Sequence, residues 1–356
     1  MLFTKVKFAP EEDVWLQPLA LDNNVTVAGF SPQFPHAHCN ANYTVCQITT
    51  GEAEINAAST ITAMYLSPLF NLTTTYFLIA GIGGVNPYQG TTGTAAFARF
   101  AVQVALQYEI DAREIPANWS TGYFALGTLQ PGQYPQHIYG TEVFELNVNL
   151  RDKAMSLASN ISLNDTETAA AYRAKYDYAP ANQPPKVVAG DSACSDVYYS
   201  GHFLGEAFGN FTDLMTNGSG VYTTTAQVLF RAAFIDLTLY QEDNATLEAM
   251  VRAALLGIID FARIVLLRTG SDFDRPPPGV DPVYHLREAP QGGFGLAIQN
   301  IFLAGRPFVD DVVENWSTYE PGVPASNYVG DILGSLSYLY GLPDFGPGVE
   351  SDILGR

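Results

Sequence analysis

"IVLLRTGSDFDRPPPG", residues 264–279, runs from four apolar residues through an arginine and a glycine into Ser271, Asp272 and Asp274, then three prolines. An uninterrupted apolar run of this kind reads as a strand buried on both faces, as in the interior of an α/β sheet. The glycine and the acids mark its carboxyl end, where ligands gather in open α/β sheets. An acid at that place either ends the strand by chance or is delivered to a cleft. Asp272 follows the apolar run closely, so partial burial would favour its neutral, proton-carrying form. A neutral acid on one side of a substrate and a base on the other is the arrangement that cleaves a glycosidic bond. Asp274, Arg275 and the prolines Pro276 to Pro278 read as the scaffold of the turn that follows.

Outward from this strand, apolar β-branched segments alternate with amphipathic ones. Residues 2–8, 45–50, 75–81, 94–106 and 186–191 read as strands. Residues 54–66, 141–158, 202–215, 244–264 and 326–342 carry helical patterns. The alternation predicts an α/β layered fold. No low-complexity linker or repeat divides the 356 residues, so a single domain over 1–356 is the simplest organisation.

The strand at 75–81 runs into "GIGG", residues 81–84. Glycines there let backbone approach a ligand, although a tight turn explains them equally well. A dinucleotide site would need G-x-G-x-x-G opening a helix; here "VNPYQG" follows, which excludes it. Past the first strand, "APEEDVW" sets Glu11, Glu12 and Asp13 together, either as a solvated helix start or as catalytic carboxylates.

Composition removes other classes. The chain is 47% hydrophobic and 15% charged, with a formal charge of −19 from 17 Lys and Arg against 36 Asp and Glu. Such a field repels phosphate backbones, so polymeric nucleic acid is excluded as a partner. The longest apolar stretch, from residue 249, is interrupted by Arg252, Asp260 and Arg263, which predicts no integral membrane segment. His36-x-His38 is the only ligand-like histidine spacing and lies in a proline-rich loop, so neither metal nor cofactor is expected. Cys39 and Cys46 are close enough to close a small loop by a disulfide or to remain thiols, with Cys194 left over.

Asn-x-Ser/Thr occurs at ten asparagines: 24, 42, 71, 118, 160, 164, 210, 217, 244 and 315. Random pairing at this composition gives roughly two or three. A secreted or cell-surface protein is therefore expected. Residues 1–20 show no leader pattern, so the leader has been removed or the start is incomplete.

The segments "FAPEEDVW", "TTGEAEINAA", "YFLIAGIGGVNP", "FARFAVQVALQYEIDARE", "GTEVFELN", "SDVYYSG" and "VLLRTGSDFDRPP" together resemble the fungal purine nucleoside permease (NUP) family over nearly the whole chain. That family in turn resembles the nucleoside phosphorylase and nucleosidase superfamily, including the methylthioadenosine/S-adenosylhomocysteine nucleosidases. The resemblance implies a three-layer α/β/α sandwich around a mixed, partly barrel-like central sheet. It makes Asp272, with Ser271 beside it, the acid that protonates purine N7, and Glu11, or Glu12 one register on, the activator of water. It sets Gly81, Gly83 and Gly84 near the ribose and Tyr198 and Tyr199 near the base. It assigns Glu242 and Asn244 to the segment that holds the ribose hydroxyls, with Asn244 standing where the superfamily has a glutamate. It also implies a possible homodimer.

Two departures stand out. "VLFRAAFIDLTLYQ", residues 228–241, interrupts the family pattern as an insertion, of the kind a retained intron would leave, and would push Glu242 and Asn244 from the pocket. "MLFTKVKF" fits the family's apolar first strand poorly. Arg99 and Arg268 are the only arginines close to the relevant strand ends, which is thin provision for phosphate. The expected activity is thus hydrolysis of a purine nucleoside (adenosine, guanosine or inosine) to base and ribose. The alternatives are uptake without turnover and phosphate-dependent cleavage.

Overall fold

The computed structural model describes residues 2–6, 8–225, 228–232, 235–239 and 242–346, with backbone alone for 2, 3, 228–232 and 235–239. In chain order come β1 (Leu2–Val6), α1 (Ala9–Leu16), β2 (Asn23–Thr26), β3 (His36–Cys39), β4 (Val45–Thr49), α2 (Glu54–Leu66) and β5 (Tyr76–Val85). Next are β6 (Ala95–Ala98), β7 (Phe100–Gln103), the short pair β8 (Tyr108–Glu109) and β9 (Tyr123–Phe124), β10 (Val143–Glu145), α3 (Val148–Ala158) and α4 (Glu167–Arg173). Then follow β11 (Val187–Ala189), β12 (Asp191–Cys194), α5 (His202–Met215), β13 (Tyr222–Thr225), β14 (Val228–Ala232), β15 (Ile235–Leu239) and α6 (Asp243–Leu255). The chain continues through β16 (Ile264–Phe273), α7 (Pro282–Arg287), α8 (Phe294–Glu314), α9 (Trp316–Tyr319), β17 (Gly330–Asp331) and α10 (Ser337–Tyr340).

Strand β5 is the hub of a mixed sheet. It lies parallel to β1 along its first half, parallel to β16 along most of its length, and antiparallel to β13 at Val85. From β16 the pairing passes to β6, which bends at Arg99 into β7, then to β12, β13 and back to β5. This circuit closes a small barrel, while β1, β4, β3 and β2 extend from it as an open wing. The expected sandwich around a mixed, partly barrel-like sheet is the fold the chain adopts.

Side chains alternate across the sheet with period two. Tyr76, Leu78 and Ala80 of β5 join Val265 and Leu267 of β16 against Trp15, Leu150, Ile301 and Phe308, from α1, α3 and α8. Phe77, Ile79, Ile264 and Leu266 face the opposite way, against Ile61 and Met64 of α2 and Leu247 and Met250 of α6. Burying a leucine fully, as at Leu266 and Leu267, contributes about 1.5–3 kcal/mol.

Several expected elements are corrected. The helix read over 141–158 begins only at Val148, because Asn147 accepts hydrogen bonds from the Asn149 and Leu150 amides and caps it. Residues before that cap form β10. The strand over 94–106 breaks at Arg99. The C-terminal helix over 326–342 shrinks to α10, because Gly330 and Gly334 adopt φ of +147° and +72°. Helix α8 is not among the helical patterns read from the sequence; it runs through Gly295, Gly305 and Pro307 while burying Ile301, Phe308 and Val309. Within the stretch 228–241, β14 and β15 pair antiparallel as a separate two-stranded sheet; residues 233–234 and 240–241 lie outside the described residues. Cys39 and Cys46, opposite each other in β3 and β4, are joined by a disulfide, and Cys194 is buried and free.

At Gly305, α8 lies close against β5, β16 and the Trp15 ring. A Cβ there would fall 2.8 Å from the Trp15 ring and 3.1 Å from Leu78. Gly305→Val is expected to cost about 1–3 kcal/mol through overpacking, read as a lower urea midpoint. An unchanged midpoint would contradict this packing.

Candidate active site

Strands β5 and β16 end side by side. Gly270 pairs with Gly83 and Asp272 with Gly84, so Ser271 is the extra residue of a bulge. A bulge re-aims the side chains around it. The Ser271 hydroxyl lies 3.0 Å from the Gly83 carbonyl oxygen and 2.6 Å from Asp272 Oδ1. The Tyr198 hydroxyl donates to Asp272 Oδ2 at 3.3 Å. Both carboxyl oxygens are thus held by hydroxyls, and Asp272 is only 7% exposed. It faces a cavity of about 340 Å³ whose other wall is the segment 286–295. That segment passes close because Gly293 has no side chain; a Cβ there would fall 2.2 Å from the Ser271 carbonyl oxygen. The backbone of β14 runs beside β5, β16 and α7 at this end of the sheet.

Tyr199 points elsewhere. Its hydroxyl donates to Tyr222, which donates to Asp274, whose two oxygens accept from Arg275 at 2.8 Å each. Arg275 is 1% exposed, and Tyr176 donates to its carbonyl at 2.7 Å. This network is a rigid underside for the turn that carries Asp272. His285 braces it by contacting the Phe273 carbonyl at 2.9 Å, and burial holds its pKa below the usual histidine value.

Behind the strand ends lies a buried cluster of five charges: Lys5, Glu11, Glu242, Asp243 and Arg268. Period two explains it. Arg268 continues the α6-facing row of Ile264 and Leu266, and Lys5 faces the same way because Val6 faces α8. Both cations therefore meet the amino end of α6. Arg268 donates to both oxygens of Asp243, from Nε at 3.0 Å and from Nη2, and Ser192 adds a bond at 2.7 Å. Lys5 Nζ is 3.5 Å from Glu242 Oε2, while Glu242 Oε1 accepts from the Ala53 amide at 3.1 Å. Glu11 Oε1 accepts from the Ile82 amide at 2.6 Å. Burial pulls the Lys5 pKa down against the pull of Glu242. Burial also pushes Asp243 up, but Arg268 outweighs it and holds the carboxyl below the usual range. Glu12 turns from β5 and accepts from Thr49, with His38 at 3.4 Å.

A second cavity, about 490 Å³, is lined by Glu54, Gln103, Asp196, Val197, Asn244 and Glu248 among others. Asn244 stands here; its Nδ2 donates to the Thr141 carbonyl at 2.7 Å. The sequence-predicted residues therefore divide. Ser271, Asp272, Tyr198, Gly83 and Gly84 come together, with Gly81 opposite Arg268 and Glu11 joined through Ile82. Glu242 belongs to the charge cluster, Asn244 to the second cavity and Tyr199 to the scaffold. Lys5, Asp243 and the 286–295 segment were missed; a lysine inside a strand was the one available signal, since a buried charge requires a partner. Among the described residues no group of three or more His, Cys, Asp or Glu could hold a metal ion.

Removing one partner of a buried pair leaves the other charge uncompensated. Arg268→Met is expected to cost about 3–5 kcal/mol, and adding Asp243→Leu should recover part of the loss. A single variant as stable as the parent in urea would contradict the pairing. Two glutamates, Glu54 on the second cavity and Glu145 of β10, give a pH signature. Burial, then Asp196, pushes Glu54 from 4.5 to about 7, and burial against the pull of Arg99 does the same for Glu145. Between those values the fold holds protons that the unfolded chain has released, so stability falls as pH rises from 4.5 to 7. Glu54→Gln should flatten that fall in denaturant midpoints; an unaltered slope would contradict it.

The sequence profile of the purine nucleoside permease (NUP) family matches residues 3–324. A purine nucleoside permease of Candida albicans is 46% identical over 346 residues, covering 95% of this chain and 81% of that protein. A probable purine nucleoside permease of Schizosaccharomyces pombe is 38% identical over 320 residues, covering 87% of this chain and 88% of that protein. Among solved structures, a 5'-methylthioadenosine/S-adenosylhomocysteine nucleosidase from Neisseria meningitidis is 12% identical, with a TM-score of 0.48 over 88% of this chain and 98% of that one. With the family profile spanning most of its length, this chain belongs to the purine nucleoside permease family.

Proposed function

We propose that the chain binds purine nucleosides at the Asp272 cavity and hydrolyses their N-glycosidic bond. The observation that carries this reading is the Asp272 carboxyl, fixed by Ser271 and Tyr198 on a cavity at the strand end. In the reaction Asp272 gives its proton to purine N7. The bond from ribose C1' to N9 breaks, and its electron pair goes to the base. Water oxygen bonds to C1', and the water proton passes to Glu11. Base and ribose leave, and one water has been consumed. Charge balance favours water over phosphate: the nearby cluster holds three carboxylates against two cations, and Arg268 is committed to Asp243. An incoming anion would meet net repulsion.

The name of the curated relatives favours a second reading, in which the same cavity binds a nucleoside for uptake without turnover. Among the described residues no helix is long and apolar enough to cross a membrane.

The two readings separate in one assay. The protein is incubated with adenosine, guanosine or inosine, with and without phosphate, and the products are resolved. Free base and ribose without phosphate are expected, and Asp272→Asn should slow release by about 10²–10⁴-fold. Ribose 1-phosphate would replace the hydrolytic reading with a phosphorolytic one. Calorimetric binding without release would leave the uptake reading standing.

A further inference from the structure

The ten sequons sort by structure. Nine of their asparagines are exposed, and the tenth, Asn244, is 3% exposed. At Asn24, Asn42, Asn71, Asn118, Asn160 and Asn210 the side-chain Nδ2 donates no hydrogen bond among the described residues. Asn24 and Asn71 use only Oδ1, toward His38 and Thr73. The exposed Asn164, Asn217 and Asn315 do commit Nδ2, to Gln299, the Gly346 carbonyl and Asp311. None of the nine exposed asparagines lines the Asp272 cavity or the second cavity.

We propose that this chain is N-glycosylated at the six asparagines with an uncommitted amide, and that Asn244 is spared. The co-reactant is an oligosaccharide carried on a lipid diphosphate. Asparagine Nδ2 bonds to the anomeric carbon, and the bond from that carbon to the phosphate oxygen breaks. The lipid diphosphate leaves with the electron pair, and the amide proton passes to the transferase. Each of the six offers its nitrogen to solvent, so a glycan projects outward without displacing a contact. Asn244 cannot accommodate one in this fold: its Nδ2 donates to the Thr141 and Glu142 carbonyls, and Thr246, the third residue of its sequon, is buried. A chain modified there could not close α6 onto this part of the sheet. The Cys39–Cys46 disulfide belongs to the same oxidising route through which such glycans are added.

The test takes the protein from the cells that naturally make it. Peptide-N-glycosidase in heavy-oxygen water converts each glycosylated asparagine to a labelled aspartate, which peptide mass spectrometry then places. Label at the six positions, with an unmodified Asn244 peptide, is expected. Absence of label from all six overturns the proposal, and so does label at Asn244 in folded protein. As an independent reading, Asn42→Gln should lower the intact mass by one glycan and leave nucleoside cleavage unaltered; an unchanged mass counts against occupancy there.

Discussion

Between Ile264 and Phe273, β16 lies parallel to β5, and the two strands finish level at Val85 and Phe273, one residue past Gly84 and Asp272. That pairing settles most of what surrounds it. It closes the barrel through β6 and β7, and its alternation assigns one row of side chains to α8 and the other to α2 and α6. Where the apolar rows run out, the α6-facing row continues as Arg268, and the bulge at Ser271 turns Asp272 toward the cavity. Scaffold and candidate chemistry are therefore consecutive residues of one strand.

The charge cluster follows from the same geometry. A guanidinium at the centre of a sheet is tolerable only when its partners are equally fixed, and helix α6 supplies Asp243 at its first residue. Lys5 and Glu242 repeat the arrangement two strands away, on β1 across β5. On the hydrolytic reading proposed above, such a cluster would also favour neutral water over phosphate, because its carboxylates outnumber its cations beside the strand ends. On that reading Asp272, on its cavity, is the group that would meet the base, and Glu11, the member of the network bonded to the Ile82 amide, is the proposed acceptor of the water proton.

Much of this was legible in the sequence, for identifiable reasons. Strands β5 and β16 announce themselves as unbroken apolar runs, and Glu54–Leu66 is a helix with the bounds its periodicity predicted. The placement of Asp272 at a strand end needed no more than the order of apolar and acidic residues. Partner choice was the hidden part. Tyr198 and Tyr199 are adjacent and chemically alike, yet one reaches Asp272 and the other Tyr222, which depends on how the loop before α5 turns. Lys5 and Arg268 stand far apart in sequence from Glu242 and Asp243, and only sheet register brings them together. Helix α8 was obscured because its glycines and proline suggest breaks, whereas tertiary burial decides its course.

The central claim is that a purine nucleoside sits over the joined ends of β5 and β16 with its base against Asp272. A crystal structure with a purine C-nucleoside, whose carbon–carbon link to ribose resists hydrolysis, tests this most directly. The account predicts the purine ring within hydrogen-bond reach of Asp272, with the ribose over Gly83 and Gly84. Density for the ligand in the cavity of Glu54 and Asn244 instead, with the Asp272 cavity unoccupied, would contradict it.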